Sequence, residues 1–376
     1  MSRPSSARID LDALRHNYAT ARKLHGRKVL AVLKADAYGH GAVRCALALA
    51  GMADGFAVAF LSEAMELRAA GVTAPILLLE GAFDGEELKV AARHALAVVV
   101  HHESQLRMLE SARGLAGTLD VWLKMDSGMG RAGMAPEAMR AGFARLQACP
   151  AVAEVVLMSH FARADEPGMS TTAKQLAAFQ AACGGLDARA SLANSAGILA
   201  WPEACRSWGR AGIMLYGADP LPPTYRQAPL QPVMTLQSQV FAERLLPPGA
   251  PLGYGGGFVA ERPTRVGLVA LGYADGYPRS APADTPVAIE GHAARLIGRV
   301  SMDMLTVDLT DLPACGIGSK VELWGRTIDV NQVAAGAGTI AYELLCNVKR
   351  VPRVYEGADA VPEASNPGPC FEELHL

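Results

Sequence analysis

The sequence predicts an α/β chain, an N-terminal (β/α)8 TIM-like barrel followed by a mostly β C-terminal domain. Three observations lead there. Short apolar runs alternate with Ala/Leu-rich helical stretches over the first 220 residues, and there are eight such runs. From about Leu230 the texture changes to strands separated by Pro, Gly and Asp turns. The length, 376 residues, suffices for two domains and a large core.

The eight runs are "VLAVLK" (29–34), "GFAVAF" (55–60), "APILLLE" (74–80), "LAVVVH" (96–101), "LDVWLKM" (119–125), "AEVVLMSHF" (153–161), "RASLANS" (189–195) and "GIMLYG" (212–217). Strands this continuously apolar are buried on both faces, as in a parallel sheet covered by helices. Eight of them with helices between favour a closed barrel over an open sheet. The last run also suits a short helix. The expected boundaries are 8–222 for the barrel and 230–356 for the β domain, with "PLPPTYRQAPLQP" (220–232) as linker. A short helix near "TIAYELLCNV" closes the second domain. Residues 1–10, with "ARIDL", are candidates to pair with it, and 357–376 read as a loose tail.

Composition narrows the function. Apolar residues make up 51% and charged residues 19%, with a net charge of −2 and no block of like charge. A polyanionic partner such as nucleic acid is therefore not expected. The seven cysteines are odd in number, far apart and without a CxxC pair, which argues against a disulfide framework or zinc site. The opening "MSRPSSARIDLDALRHN" lacks a signal-peptide core, and charges interrupt every longer apolar run. The expectation is a cytoplasmic protein with no membrane span.

In such barrels the chemistry sits at the carboxyl ends of the strands. Lys34 ends the first run, Lys124 and Arg131 leave the fifth in "LKMDSGMGRAG", and His160 ends the sixth. Asn194 and Ser195 follow the seventh, and Arg210 precedes the eighth in "WGRAGI". There is no Asp/Glu/His metal cluster, nucleophile elbow or P-loop among these groups. A lysine deprotonated by burial or a cationic neighbour can form a Schiff base, and small residues can offer backbone N–H groups to a phosphate. Lysine plus phosphate cradle points to pyridoxal 5'-phosphate, an electron sink for carbanions.

"LKADAYGHG", "LKMDSGMGRAG", "MSHFARAD", "LANSAG", "WGRAGIMLYG", "LGYGGGF", "LGYADGYPR", "GRVSMDML" and "GTIAYELL" follow one another in this chain. In that order and spacing it resembles the bacterial alanine racemases, almost throughout to Tyr355. The resemblance implies a head-to-tail homodimer with shared active sites, an isomerase that interconverts L- and D-alanine with two bases. Lys34 is then the cofactor lysine and one base, and Tyr254, from the partner subunit, is the opposite base. His160 and Arg210 support that tyrosine, and Arg210 also faces the pyridine nitrogen. Arg131 matches the residue that meets the cofactor's phenolic oxygen and the substrate carboxylate. Lys124 matches a lysine carbamylated in some relatives. Tyr38, Ser195, Gly212, Ile213 and Tyr342 match phosphate contacts, with Asn194 a neighbour. Tyr273 matches an entrance gate, and Met302 and Asp303 a substrate-carboxylate lining from the partner chain. Ser301 replaces a cysteine found in some relatives, while Asp36 and Asp165 read as structural.

Three other readings stay open on sequence. A racemase of another small amino acid such as serine differs by one atom of substrate, which an apolar pocket rejects poorly. A fold-type III decarboxylase shares the architecture but usually sets a carboxylate where "WGRAG" offers Arg210. A non-enzymatic single-barrel cofactor binder would need neither "LGYGGGF" nor "GRVSMDML".

Overall fold

The computed structural model describes residues 3–358. Nearly all of the expected tail at 357–376 lies outside the described residues, as does Cys370. The other six cysteines are free thiols.

The chain begins as a strand, Ser6–Asp10, followed by the helix Leu11–His25. Asp10 caps that helix, accepting hydrogen bonds from Asp12 N (3.0 Å) and Ala13 N (2.9 Å). Leu11, Leu14, Tyr18 and Ala21 recur at helical spacing and are its buried face. Gly26 ends it at φ 74°, returning its N–H to Arg22 O.

Eight parallel strands then close a barrel: Lys28–Val32, Phe56–Val58, Ile76–Leu78, Leu96–Val100, Leu119–Lys124, Val152–Met158, Ala190–Ser191 and Trp208–Ala211. Closure is made by Trp208–Ala211 lying beside Lys28–Ala31. The first seven lie within or across the predicted runs. The eighth is a correction: "GIMLYG" is not a strand. Ile213–Tyr216 is a 3-10 turn, wholly buried against the helix Leu11–His25, where Asn17 Nδ2 donates to Leu215 O at 3.0 Å. The strand is the preceding "WGRA", so Arg210 lies within it and not before it.

The second region is a mostly β domain around the long strand Met234–Leu246. That strand pairs antiparallel with Ser6–Asp10, Lys320–Trp324 and Thr264–Val269. Its first half alternates buried and half-buried residues, as a sheet covered on one face does. The final strand, Arg353–Glu356, lies parallel to Ser6–Asp10, so both ends of the described chain are sewn into this sheet. Two short helices, Val330–Gly336 and Ala341–Asn347, follow Lys320–Trp324. A single buried apolar cluster runs from the barrel wall into this domain, through Tyr216, Met234, Leu236, Trp324 and Leu345. Among the described residues no helix is long and apolar enough to cross a membrane.

Candidate active site

The first barrel strand stops at Val32, and Lys34 opens a turn of unusual hand. Ala35, Asp36, Ala37 and Tyr38 all have φ near +53° and ψ between 41° and 49°. A left-handed turn of four non-glycine residues costs about 1–2 kcal/mol per residue, so neighbours must hold it. Ala37 N donates back to Leu33 O at 2.8 Å. Asp36 accepts from Ala42 N at 2.7 Å and pairs with Arg353 of the C-terminal sheet at 2.5 Å. Glu63, from the helix Leu61–Ala69, accepts from Ala35 N at 2.7 Å. His40, wholly buried, donates from Nδ1 to the carbonyls of Ala37 and Tyr38, both at 3.0 Å. Gly39, at φ 82°, lies so close to Leu345 O that a side chain there would collide with it. From Ala35 to His40, the residues of "KADAYGHG" after the lysine thus take part in holding the turn.

Lys34 faces a cavity of about 350 Å3 at the carboxyl ends of the strands. Its wall gathers Tyr38, Lys124, Arg131, His160, Asn194, Ser195, Arg210, Gly212, Ile213 and Tyr342, all singled out from sequence. Arg210 is buried, and burial lowers its guanidinium to about 10. Nη1 donates to Ser191 O (2.9 Å) and Ser191 Oγ (2.6 Å), and Nη2 to Ser159 O (2.7 Å). Nη2 also stands 3.4 Å from His160 Nδ1. Arg210 can only donate, so Nδ1 is the acceptor and His160 carries its proton on Nε2. Burial first, then the charges of Arg210, Lys124, Arg131 and Lys34, hold His160 well below the usual histidine range. It is a neutral ring of fixed tautomer.

Lys124 is buried at the end of its strand, and burial, with Arg210 next, lowers its ammonium to about 8. It stays mostly an ammonium at pH 7, with about a tenth as free amine. Among the described residues Glu80 is the one carboxylate in the cavity wall, and it acts on Lys124 in the opposite direction.

Two short helical turns begin at the same wall, Ser195–Ala200 and Ile213–Tyr216. Asn194 caps the first through Gly197 N at 2.9 Å. Ser195 Oγ accepts from Gly212 N (2.9 Å) and Met214 N (3.3 Å), which leaves its hydroxyl hydrogen free to be donated. A Cβ on Gly212 would stand 2.7 Å from Tyr38 Oη, so only glycine lets backbone, hydroxyl and phenol converge. The first N–H groups of such turns have no partner within them and suit an anion. Four cations (Lys34, Lys124, Arg131, Arg210) against one carboxylate give the cavity the sign that a phosphate-bearing, carboxylate-bearing ligand needs. Pyridoxal phosphate fits this wall.

Four of the sequence-selected residues do not line the cavity. Tyr254 (67% exposed), Tyr273, Met302 and Asp303 lie on the C-terminal domain, with Tyr254 beside Arg299 in a separate shallow depression. Conversely, sequence reading overlooked Glu80, Leu79, Met158 and Cys346 in the wall, and Glu63 behind it. Glu80 carried a legible signal, a carboxylate ending "APILLLE" just as Lys124 ends its strand.

Comparison with known proteins decides the family. Sequence models of the alanine racemase N-terminal and C-terminal domains match residues 9–220 and 233–355. The chain belongs to the alanine racemase family. An alanine racemase of Azoarcus sp. is 63% identical over 355 residues, 94% of this chain and all of that one. A catabolic alanine racemase of Pseudomonas putida is 58% identical, with 94% of this chain and 99% of that one covered. The crystal structure of the biosynthetic alanine racemase from Pseudomonas aeruginosa matches with a TM-score of 0.91 at 49% identity, covering 95% of this chain and all of that one. Members of this family are isomerases that use pyridoxal phosphate.

Proposed function

We propose that this chain interconverts L- and D-alanine with pyridoxal phosphate, by two bases that meet across a homodimer. The observation that carries the reading is the division of labour in a single chain. Lys34, Arg131, His160 and Arg210 share one cavity, while Tyr254 is two-thirds exposed on the other domain. A flat carbon must lose its proton on one face and gain it on the other, and one fixed lysine reaches only one face. Tyr254 of a second copy completes the pair. Tyr273, Met302 and Asp303, exposed with it, come to the same mouth as gate and carboxylate lining.

Bound there, pyridoxal phosphate withdraws electron density from the α-carbon and so makes its proton removable. Ser195, Gly212, Ile213, Tyr38 and Tyr342 would hold its phosphate, with Asn194 capping the turn behind them. Arg210 would offer the ring a fixed cation, which would disfavour a second positive charge in the same dry site. Lys34 Nζ would hold the cofactor and, once released, carry a proton. The His160 Nε2–H faces the Tyr254 oxygen, and Arg210 behind it lowers the cost of a phenolate. Arg131 grips the substrate carboxylate. Lys124, carrying carbon dioxide as a carbamate, supplies the anion that orients Arg131.

The enantiomers have equal free energy, so the same reaction suits either D-alanine supply for peptidoglycan or alanine catabolism. Relatives named for the catabolic and the biosynthetic role match this chain. Incubation of the holoprotein with L-alanine in deuterated water tests the proposal. Deuterium should enter the α-carbon of both enantiomers, and faster than with L-serine. Failure to form D-alanine refutes the reading, and a preference for serine makes the substrate the neighbouring amino acid.

A further inference from the structure

The left-handed turn after Lys34 is fixed partly by a group on another element that the reaction itself does not use. We propose that Glu63 is a positioning residue for Lys34. Its carboxylate pins the amide directly after the lysine and so sets where Nζ stands in the cavity. The inference rests on Lys34 being the cofactor-bearing base.

A glutamate in the first turn of a helix ordinarily reaches back to the backbone N–H just before that helix and does nothing more. Glu63 does this with Oε2, which accepts from Ala59 N at 2.7 Å and Phe60 N at 3.1 Å. Its other oxygen, Oε1, accepts from Ala35 N at 2.7 Å, at the end of a different strand. The two strands are neighbours, Ala31 and Val32 pairing with Phe56 and Ala57. One carboxylate thus ties the exits of the first two barrel strands together through three N–H groups. The Ala35 N–H is one that the turn cannot satisfy from within, because the first amides of any helical turn lack an internal partner. Backbone held in a sparsely populated region persists only where its surroundings over-determine it. Asp36, the next residue, is tied by its side chain to Ala42 N and Arg353. With the two residues after Lys34 both held, the direction in which the Lys34 side chain leaves the strand is fixed as well.

Glutamine at this position keeps the size but has one acceptor oxygen, and its amide N–H groups would oppose a backbone donor. It can serve the helix cap or Ala35, not both. In E63Q the kcat for alanine should fall roughly 10–100-fold, the penalty of a reacting group displaced by about an ångström, with KM within about twofold. Capture of added pyridoxal phosphate by the apoprotein should slow by about tenfold, read as the visible absorbance of the lysine-bound cofactor and as the borohydride-fixed adduct on Lys34. E63D, which keeps two acceptor oxygens, should recover part of both rates. Wild-type capture and kcat in E63Q overturn the proposal. So does a loss that merely follows the folded fraction, with the remaining cofactor-loaded sites turning over at the wild-type rate. If E63Q does not fold, E63A, which removes the contact to Ala35 N altogether, decides by the same measurements, since wild-type values there are equally fatal. Capture is measured without alanine, so a wild-type chain that loads Lys34 but fails to racemise counts against the proposed function alone.

Discussion

Protonating His40 should destabilise the fold, and the structure sets the size of the effect. The ring is wholly buried behind the Lys34 turn, its Nδ1–H shared between the carbonyls of Ala37 and Tyr38. Nε2 is buried with no hydrogen-bond partner among the described residues, so an added proton would find no acceptor there. Burial, the largest cause, lowers the ring from 6.5 to about 4, and the charge of Arg353 works in the same direction. The unfolded chain therefore takes up a proton at a pH where the folded chain refuses it. Stability from this group is complete above pH 6.5 and is lost as the pH falls toward 4. Each pH unit in that window is worth about 1.36 kcal/mol, which puts ~3 kcal/mol at stake. His25 and His160 are also held below the usual range, so the wild-type profile alone would mix three contributions. His40→Asn isolates one, because the amide can donate as Nδ1 does and does not titrate. Urea midpoints at fixed protein concentration, from pH 7.5 to 4.5, should show the advantage of wild type over the variant shrinking as the pH falls. Parallel profiles across that range would refute the reasoning.

Other outcomes follow from the same site. Gly212→Ala should weaken pyridoxal phosphate binding by roughly tenfold or more, measured by cofactor titration, since the new methyl meets the Tyr38 hydroxyl. Lys124 should take up labelled carbon dioxide at fixed pressure, with a carbamate carbon resonance that grows as the pH rises through about 8. That resonance should be missing in Lys124→Met. Tyr254→Phe should lower racemisation by about 10²–10⁴-fold, the usual worth of a positioned acid–base group, while leaving the melting temperature nearly unchanged because the side chain is exposed.

Much of the barrel could be read from its strands because most are apolar along nearly all of their length, the mark of burial on both faces. The eighth was misplaced for a physical reason. Trp208–Ala211 contains a glycine and an arginine, and its burial is sustained by hydrogen bonds from Arg210 that no local pattern reveals. The apolar run after it is buried as a 3-10 turn. The left-handed turn was equally hidden. Ala35, Asp36, Ala37 and Tyr38 include no glycine, and what holds them comes from Glu63 and Arg353, far away in sequence. The cavity residues were legible where a charged or hydroxyl side chain broke an apolar run at a strand end, as Lys34, Lys124 and His160 do. Glu80 meets that criterion too, but a lone carboxylate at a strand end reads in sequence like any solvated rim residue. Met158 and Cys346 gave no signal, because an apolar or thiol side chain at such a place looks like any core residue.

In the proposed dimer each site takes one base from each of two copies. Mixing two inactive proteins, Lys34→Ala and Tyr254→Phe, under conditions that exchange subunits separates this arrangement from its alternative. If the bases come from different chains, every hybrid dimer holds one intact site, and random pairing restores about a quarter of wild-type activity. If hybrids form, as tagged copies would reveal, and activity stays at the level of the separate variants, both bases belong to one chain and the claim is wrong.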